Sequence, residues 1–204
     1  MKDGRYSRIS RRGFTALLFA SSMVPAGAAR AALTPAEEYV TRIADDVMRL
    51  ANSGQKGNAL RGRFAAVLER YVNLRSIANF SLGQYQKQLP PDKKEEFYRL
   101  VSNYSAALFV YYVEDFRGSE LEITSTSQQG KFTTIMSAIK LKGGGREQVR
   151  WRLVPTGGGY RVSDVNLKGI WLTISMKKRF SDTLKRSKGD FGALFAELRE
   201  AETW

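Results

Sequence analysis

Asp164 interrupts an otherwise apolar stretch, YRVSDVNLKGIWL, and is the best-placed carboxylate in the sequence for acid–base work. The competing reading is a bulge residue whose side chain accepts from nearby backbone N–H groups. Few other residues offer chemistry. The 204-residue chain has no histidine and no cysteine, which removes the commonest general base and zinc ligand together with the thiolate nucleophile. The adjacent pairs Asp45-Asp46 and Glu95-Glu96 fall at helical positions, where neighbouring side chains diverge and do not converge on one ion or proton. Glycine clusters at residues 143–145 and 157–159 lack the Gly-Lys-Ser/Thr ending of a phosphate-binding loop and read as turns. No catalytic residue, metal site or cofactor is expected.

Large apolar side chains are abundant instead. NYSAALFVYYVEDF is apolar on nearly all sides of a helix, so it is expected to bury more than one stripe. Trp151, Leu153, Val162, Val165 and Leu167, with Ile170, Trp171 and Leu172, would form the opposing wall. Two outcomes are open: an ordinary packed core, or helices and sheet held apart around a cavity for an apolar ligand. The cavity reading draws its lining first from Phe64, Leu68, Phe80 and Leu82, then from Phe97, Leu100, Val101, Tyr104, Leu108 and Tyr111 on one long helix. Strand positions Ile135, Ile139, Trp151, Leu153, Val162, Val165 and Leu167 complete it, with Ile170, Leu172 and Phe180 after them.

The elements that must position these residues are legible from periodicity. Thr34, Pro35 and Glu37 form a Thr-x-x-Glu capping box with proline at the first helical position, and Val40, Ile43, Val47 and Leu50 follow at helical spacing until Gly54. A second helix is expected over residues 58–71, with a basic exposed side. One or two helical turns broken by Gly83 come next, and a long helix restarts at Pro90-Pro91-Asp92 and runs to Gly118. Beyond it the period changes to two, predicting about four strands. Tyr160 and Val162 lie on one parity and Val165 and Leu167 on the other, so a bulge near Asp164 is needed to give the last strand a single buried face. Helical spacing returns at Thr173, with Met176, Phe180 and Leu184 on one side, and Asp190 is placed to cap a final helix. Helices, an antiparallel meander and helices again predict an α+β fold with helices packed on one face of a curved sheet.

The stretch SRRGFTALLFASSMVPAGAARAA has the order of parts of a secretory signal: basic residues, a short apolar run, then small residues. Its paired arginines resemble the twin-arginine signal; an ordinary signal that happens to carry Arg11 and Arg12 is the alternative. The run is shorter than the ~20 residues of a membrane-spanning helix. Residues 1–31 are therefore expected to be removed, leaving one periplasmic domain over residues 32–204. Those first residues hold six Lys/Arg and one Asp of a chain with formal net charge +13, leaving 27 basic against 19 acidic side chains. Such an excess favours phosphate head groups and membrane surfaces, and export makes nucleic acid the poor choice.

At residues 36–200 the chain resembles the MlaC proteins, the toluene-tolerance family of periplasmic phospholipid-binding proteins that serve ABC transporters. The similarity is most specific in RVSDVNLKGIWLTISMKKRF, through Val162, Asp164-Val165, Gly169, Leu172 and Phe180. RFAAVLERYVNLRSIANFSLG, LPPDKKEEFYRLVSNYSAAL and Arg152-Leu153 add to it, while Trp171 and Ser175-Met176-Lys177 depart from the family's pattern. The resemblance implies a nuclear-transport-factor-like cone with added helices that takes lipid tails between helices and sheet and leaves the head group in water. It further implies a monomeric carrier working between an outer-membrane lipoprotein complex and an inner-membrane ABC transporter. Its lipid would be a diacyl phospholipid or, as in one branch of the family, a hopanoid. An enzyme or an interaction module on the same cone are the alternatives.

Overall fold

The computed structural model describes residues 32–141 and 144–203. The signal-peptide expectation for residues 1–31 lies outside the described residues. Helix α1 (Pro35–Ala51) begins at the expected capping box, in which Thr34 accepts from the Glu37 N–H and the Glu37 carboxylate accepts from the Thr34 N–H. Its apolar stripe buries Tyr39, Val40 and Ile43. Helix α2 (Gly57–Tyr71) and the short α3 (Leu74–Ser81) follow. Asn73 caps α3 by accepting from the Ser76 N–H. Gly83, at φ +56°, breaks the helical path, and a 3-10 turn over Gly83–Gln88 leads to α4 (Lys94–Phe116).

Five antiparallel strands lie in chain order: β1 (Glu120–Gln129), β2 (Phe132–Lys140), β3 (Arg146–Thr156), β4 (Gly159–Leu167) and β5 (Ile170–Trp171). The expected bulge is present. Leu153 pairs with Val162 and Arg152 with Asp164, leaving Ser163 as the extra residue. Val162, Val165 and Leu167 therefore share a face with Leu153, Trp151 and Val149, and cross-strand pairing adds Ile135 and Ser137 from β2. Asp164 and Asn166 fall on the opposite face.

Where about four strands are expected, five are found. Lys168 and Gly169 both adopt positive φ, 51° and 83°, and this two-residue turn folds Ile170–Trp171 back onto Asn166 and Leu167. What reads as one strand in sequence is a hairpin. Helix α5 (Leu172–Arg186) follows directly, and Asp190 caps α6 (Phe191–Glu200) through the Gly192 N–H at 2.8 Å.

The apolar residues divide into clusters. Helices α3 to α6 enclose Leu82, Phe97, Leu100, Val101, Phe180 and Leu184, all fully buried. Helix α1, with Tyr71 at the end of α2, covers the sheet face that carries Ile135, Leu153 and Val162. A third cluster joins the end of α1 to α2 and α4 through Ala51, Leu60 and Val113. Each fully buried large side chain is worth about 2 to 3 kcal/mol of apolar burial. Among the described residues no helix is long and apolar enough to cross a membrane.

Candidate functional site

Asp164 is 4% exposed, and both carboxylate oxygens are occupied. Oδ1 accepts from the N–H groups of Val165 at 2.9 Å and Thr173 at 3.1 Å, while Oδ2 accepts from the Thr173 hydroxyl at 2.6 Å. The bulge turns the carboxylate off the apolar face and towards the first turn of α5, where the Thr173 N–H and hydroxyl meet it, while the Val165 N–H of its own strand supplies the third donor. This is the backbone-satisfying arrangement, and it clasps α5 to the sheet. No group of three or more metal-ligating side chains occurs among the described residues.

The sequence-selected apolar residues do not converge on one wall. Leu82, Phe97, Leu100, Val101, Tyr104, Leu108 and Phe180 meet in the helical cluster, where Leu108 is only partly buried. Ile135, Trp151, Leu153, Val162 and Val165 meet against α1, with Trp151 and Val165 partly buried. Ile139 is buried, Leu167 and Leu68 half-buried, and Phe64 stacks on Phe109 at 3.7 Å between ring centres. Four positions lie outside both clusters and are exposed: Phe80, Tyr111, Ile170 and Leu172. The expectation that Tyr111 and its neighbours at the end of α4 bury more than one stripe against the sheet is thus corrected. Tyr111 and Tyr112 are 68% and 51% exposed and pack edge-to-face on each other at 4.9 Å. The sheet face that would cover them is taken by α1, and their hydroxyls remain in water. Phe80 is exposed but lies beneath the Lys177 ammonium, 5.1 Å from its ring centre.

Periodicity of apolar residues misses a polar cavity of about 580 Å³ between α2, α3, α4 and β4. One face of α4 supplies Glu95, Tyr98, Arg99, Ser102 and Asn103, at spacings of three, four, seven and eight from Glu95. Helix α2 adds Ala65 and Glu69, the α2–α3 connection adds Val72 and Asn73, α3 adds Leu74 and Arg75, and β4 adds Arg161. The signal in sequence is that polar stripe on an otherwise apolar helix. Arg75 and Glu95 close one side with two parallel hydrogen bonds of 2.7 Å each, and the Arg75 guanidinium lies 4.9 Å over the Tyr98 ring. Arg161 donates to the Glu69 carbonyl at 3.1 Å. Nearby, the Tyr39 hydroxyl donates to the Tyr71 carbonyl at 2.9 Å, and the Tyr71 hydroxyl to Asp46 at 2.7 Å. Burial raises the pKa of both phenols above the ordinary value, and for Tyr71 the Asp46 acceptor adds to it. Both stay neutral donors that pin α1 to the end of α2.

The cavity sits where the two large clusters meet. Val72 in its wall packs against the sheet-side cluster and pairs with Val162, while Tyr98 packs against the helical one.

A comparison with curated proteins finds no match. Among solved structures, the chain is similar to the phospholipid-binding protein from Ralstonia solanacearum in complex with a phospholipid. The TM-score is 0.68 at 16% identity, covering 81% of this chain and 96% of that one. At that identity the likeness establishes the fold: α+β, with helices against a curved antiparallel sheet. A model of the MlaC protein family matches residues 40–200, which include the sequence-selected lining positions from Phe64 to Phe180, and the chain therefore belongs to the MlaC family.

Proposed function

We propose that this protein is a periplasmic lipid carrier that holds the acyl chains of a phospholipid between its helices and sheet and moves the lipid between the outer and inner membranes. The observation that carries the reading is its likeness, over nearly the whole length of the other chain, to a solved protein described as phospholipid-binding and in complex with a phospholipid, together with its own membership of the MlaC family. Each buried methylene is worth ~0.8 kcal/mol, so two chains of about fifteen methylenes need roughly 24 kcal/mol of apolar burial to leave a bilayer without a large barrier. The half-buried Leu108, Trp151 and Val165, at the margins of the closed clusters, would take the chains, with the half-buried Leu68 and Leu167. The fully buried Leu82, Phe97, Leu100, Val101 and Phe180 would serve as frame. On this reading the protein binds without catalysing, acts as a monomer, reaches the periplasm through residues 1–31, and exchanges lipid with an outer-membrane lipoprotein complex and an inner-membrane ABC transporter. Its excess of basic side chains suits anionic membrane surfaces.

Native mass spectrometry of protein purified without detergent tests the ligand. A retained mass equal to one phospholipid is expected. A lipid-free protein that takes up none from vesicles would remove the reading.

A further inference from the structure

We propose that the turn from β5 into α5, with Phe80 beside it, is a docking face for the surface of an anionic lipid bilayer, on which the protein rests without withdrawing a lipid. The inference stands apart from the carrier reading, since the residues that make the face belong neither to the apolar clusters nor to the polar cavity.

Exposed apolar surface is the first ground. Ile170, Leu172 and Ile174 fall within five consecutive residues and are between 46% and 59% exposed. Thr173 is turned inward, its hydroxyl 2.6 Å from Asp164, which leaves Leu172 and Ile174 on the outside of the helix start. Phe80 joins them from α3 through Lys177, which stands one turn along α5 from Ile174 and 5.1 Å over the Phe80 ring. Four of the seven large apolar side chains exposed among the described residues are gathered in this way. An exposed apolar patch rimmed by charge marks a surface that something covers.

Charge indicates what covers it. Residues 148–181 hold seven Lys/Arg and a single carboxylate, Asp164, which is buried with its oxygens occupied by Val165 and Thr173. Residues 70–91, which carry Phe80, hold three Lys/Arg and no acid. Lys168, Lys178 and Arg179 reach carboxylates of Glu147, Asp182 and Glu197. Among the described residues, Arg150, Arg152 and Lys177 reach none. Arg152 lies instead 4.0 Å over the Trp171 ring. Stacking takes up the flat side of a guanidinium and leaves its N–H edge for oxygen acceptors.

An apolar strip beside unpaired cations, with a tryptophan between them, matches the head-group level of an anionic membrane, where aliphatic groups enter and cations meet phosphates. Lys168, Gly169 and Ile170 are all exposed at the tip of the β4–β5 turn. An apolar residue at an exposed tip can enter a fluid surface without a shaped partner, which favours a bilayer over an acidic protein.

The test sediments the whole protein with sucrose-loaded vesicles of phosphatidylcholine, alone or with about a third phosphatidylglycerol to set the surface charge. Hydrogen exchange of the bound state is followed alongside. Binding to the anionic vesicles should be about tenfold or more tighter than to the neutral ones and should weaken as salt rises. Arg150→Gln with Lys177→Gln should weaken it about tenfold or more, at roughly fivefold per cation. Ile170→Ser with Ile174→Ser, at exposed positions that tolerate the change, should weaken it to a similar degree and remove what binding persists in high salt. Amides over residues 168–178 of the wild type should become protected on anionic vesicles, a local signal that binding through residues 1–31 would not give. Binding unaffected by both pairs of substitutions, or no protection over residues 168–178, would overturn the docking face and leave the carrier reading intact. A protein that docks in this way and retains no lipid would keep the face while the carrier reading fails. Polyglutamate separates the other anionic partner: capture of that polymer that Arg150→Gln with Lys177→Gln weakens, with no protection on vesicles, would make this a surface for an acidic protein and overturn the membrane assignment.

Discussion

At the residue scale, Asp164 is where sequence and geometry meet most sharply. A carboxylate in an apolar strand reads as a bulge residue that satisfies backbone donors, with an acid–base group as the competing reading, and three donors meet it as a clasp. Asp164→Ala strands those donors in a buried setting and should cost about 3 kcal/mol. Asp164→Asn, whose amide oxygen still accepts, should cost less. Urea unfolding of the two variants checks the order, and a larger loss for Asn than for Ala would refute the clasp. Gly83 is the other sensitive position. A Cβ there meets side-chain atoms alone, the flexible Cε of Lys177 at 3.0 Å and the Ser181 hydroxyl at 3.4 Å nearest, so the cost of Gly83→Ala lies mainly in the left-handed backbone, φ +56°, and should be about 1 kcal/mol.

At the element scale, helix caps, the long helix and the strand-to-helix order are all readable because each depends on neighbours along the chain. The Thr34 cap, the break at Gly83 and the Ser163 bulge follow from local patterns of this kind. Thr34→Ala should lower stability by about 1 kcal/mol in thermal or urea unfolding. Burial of α4 is less legible. NYSAALFVYYVEDF specifies an apolar helix but not which partner reaches which side, and the sheet face it was expected to meet is covered by α1. Phe97 and Leu108 look alike in sequence, yet one is fully buried and the other lies at the cluster margin. Leu100→Ala should therefore cost about 2 to 5 kcal/mol with lipid bound per folded protein little changed. Leu108→Trp should mainly reduce lipid uptake. Equal effects of the two on uptake would show that the margin of the cluster is not where chains lie. The polar cavity escaped sequence reasoning because its parts come from four elements, and only the stripe Glu95, Arg99, Ser102 and Asn103 is contiguous on one of them.

At the scale of the whole molecule, surface carboxylates set the acid limit. Glu37 is held below the usual carboxylate range, chiefly by the Thr126 hydroxyl, Glu96 by Arg199, Glu122 by Lys140, and Asp182 by Lys178. Their folded pKa values are depressed, so the stability they contribute is present above the unfolded values, 4.5 for Glu and 3.8 for Asp, and is lost as pH falls through the lower folded ones. Thermal midpoints should therefore drop between about pH 5 and pH 3. Added salt should shrink the share due to Glu96, Glu122 and Asp182, but not that of Glu37, whose acceptors face neutral hydroxyl and amide donors. Carriage of lipid is the central claim, and transfer between membranes tests it most directly. Donor vesicles carrying isotope-labelled phosphatidylethanolamine are mixed with unlabelled acceptor vesicles, separated by a membrane that passes the protein and retains vesicles. With wild-type protein, label should appear in the acceptors in proportion to protein concentration, and more slowly with Leu108→Trp. Acceptor label no higher with protein than without it would contradict the account.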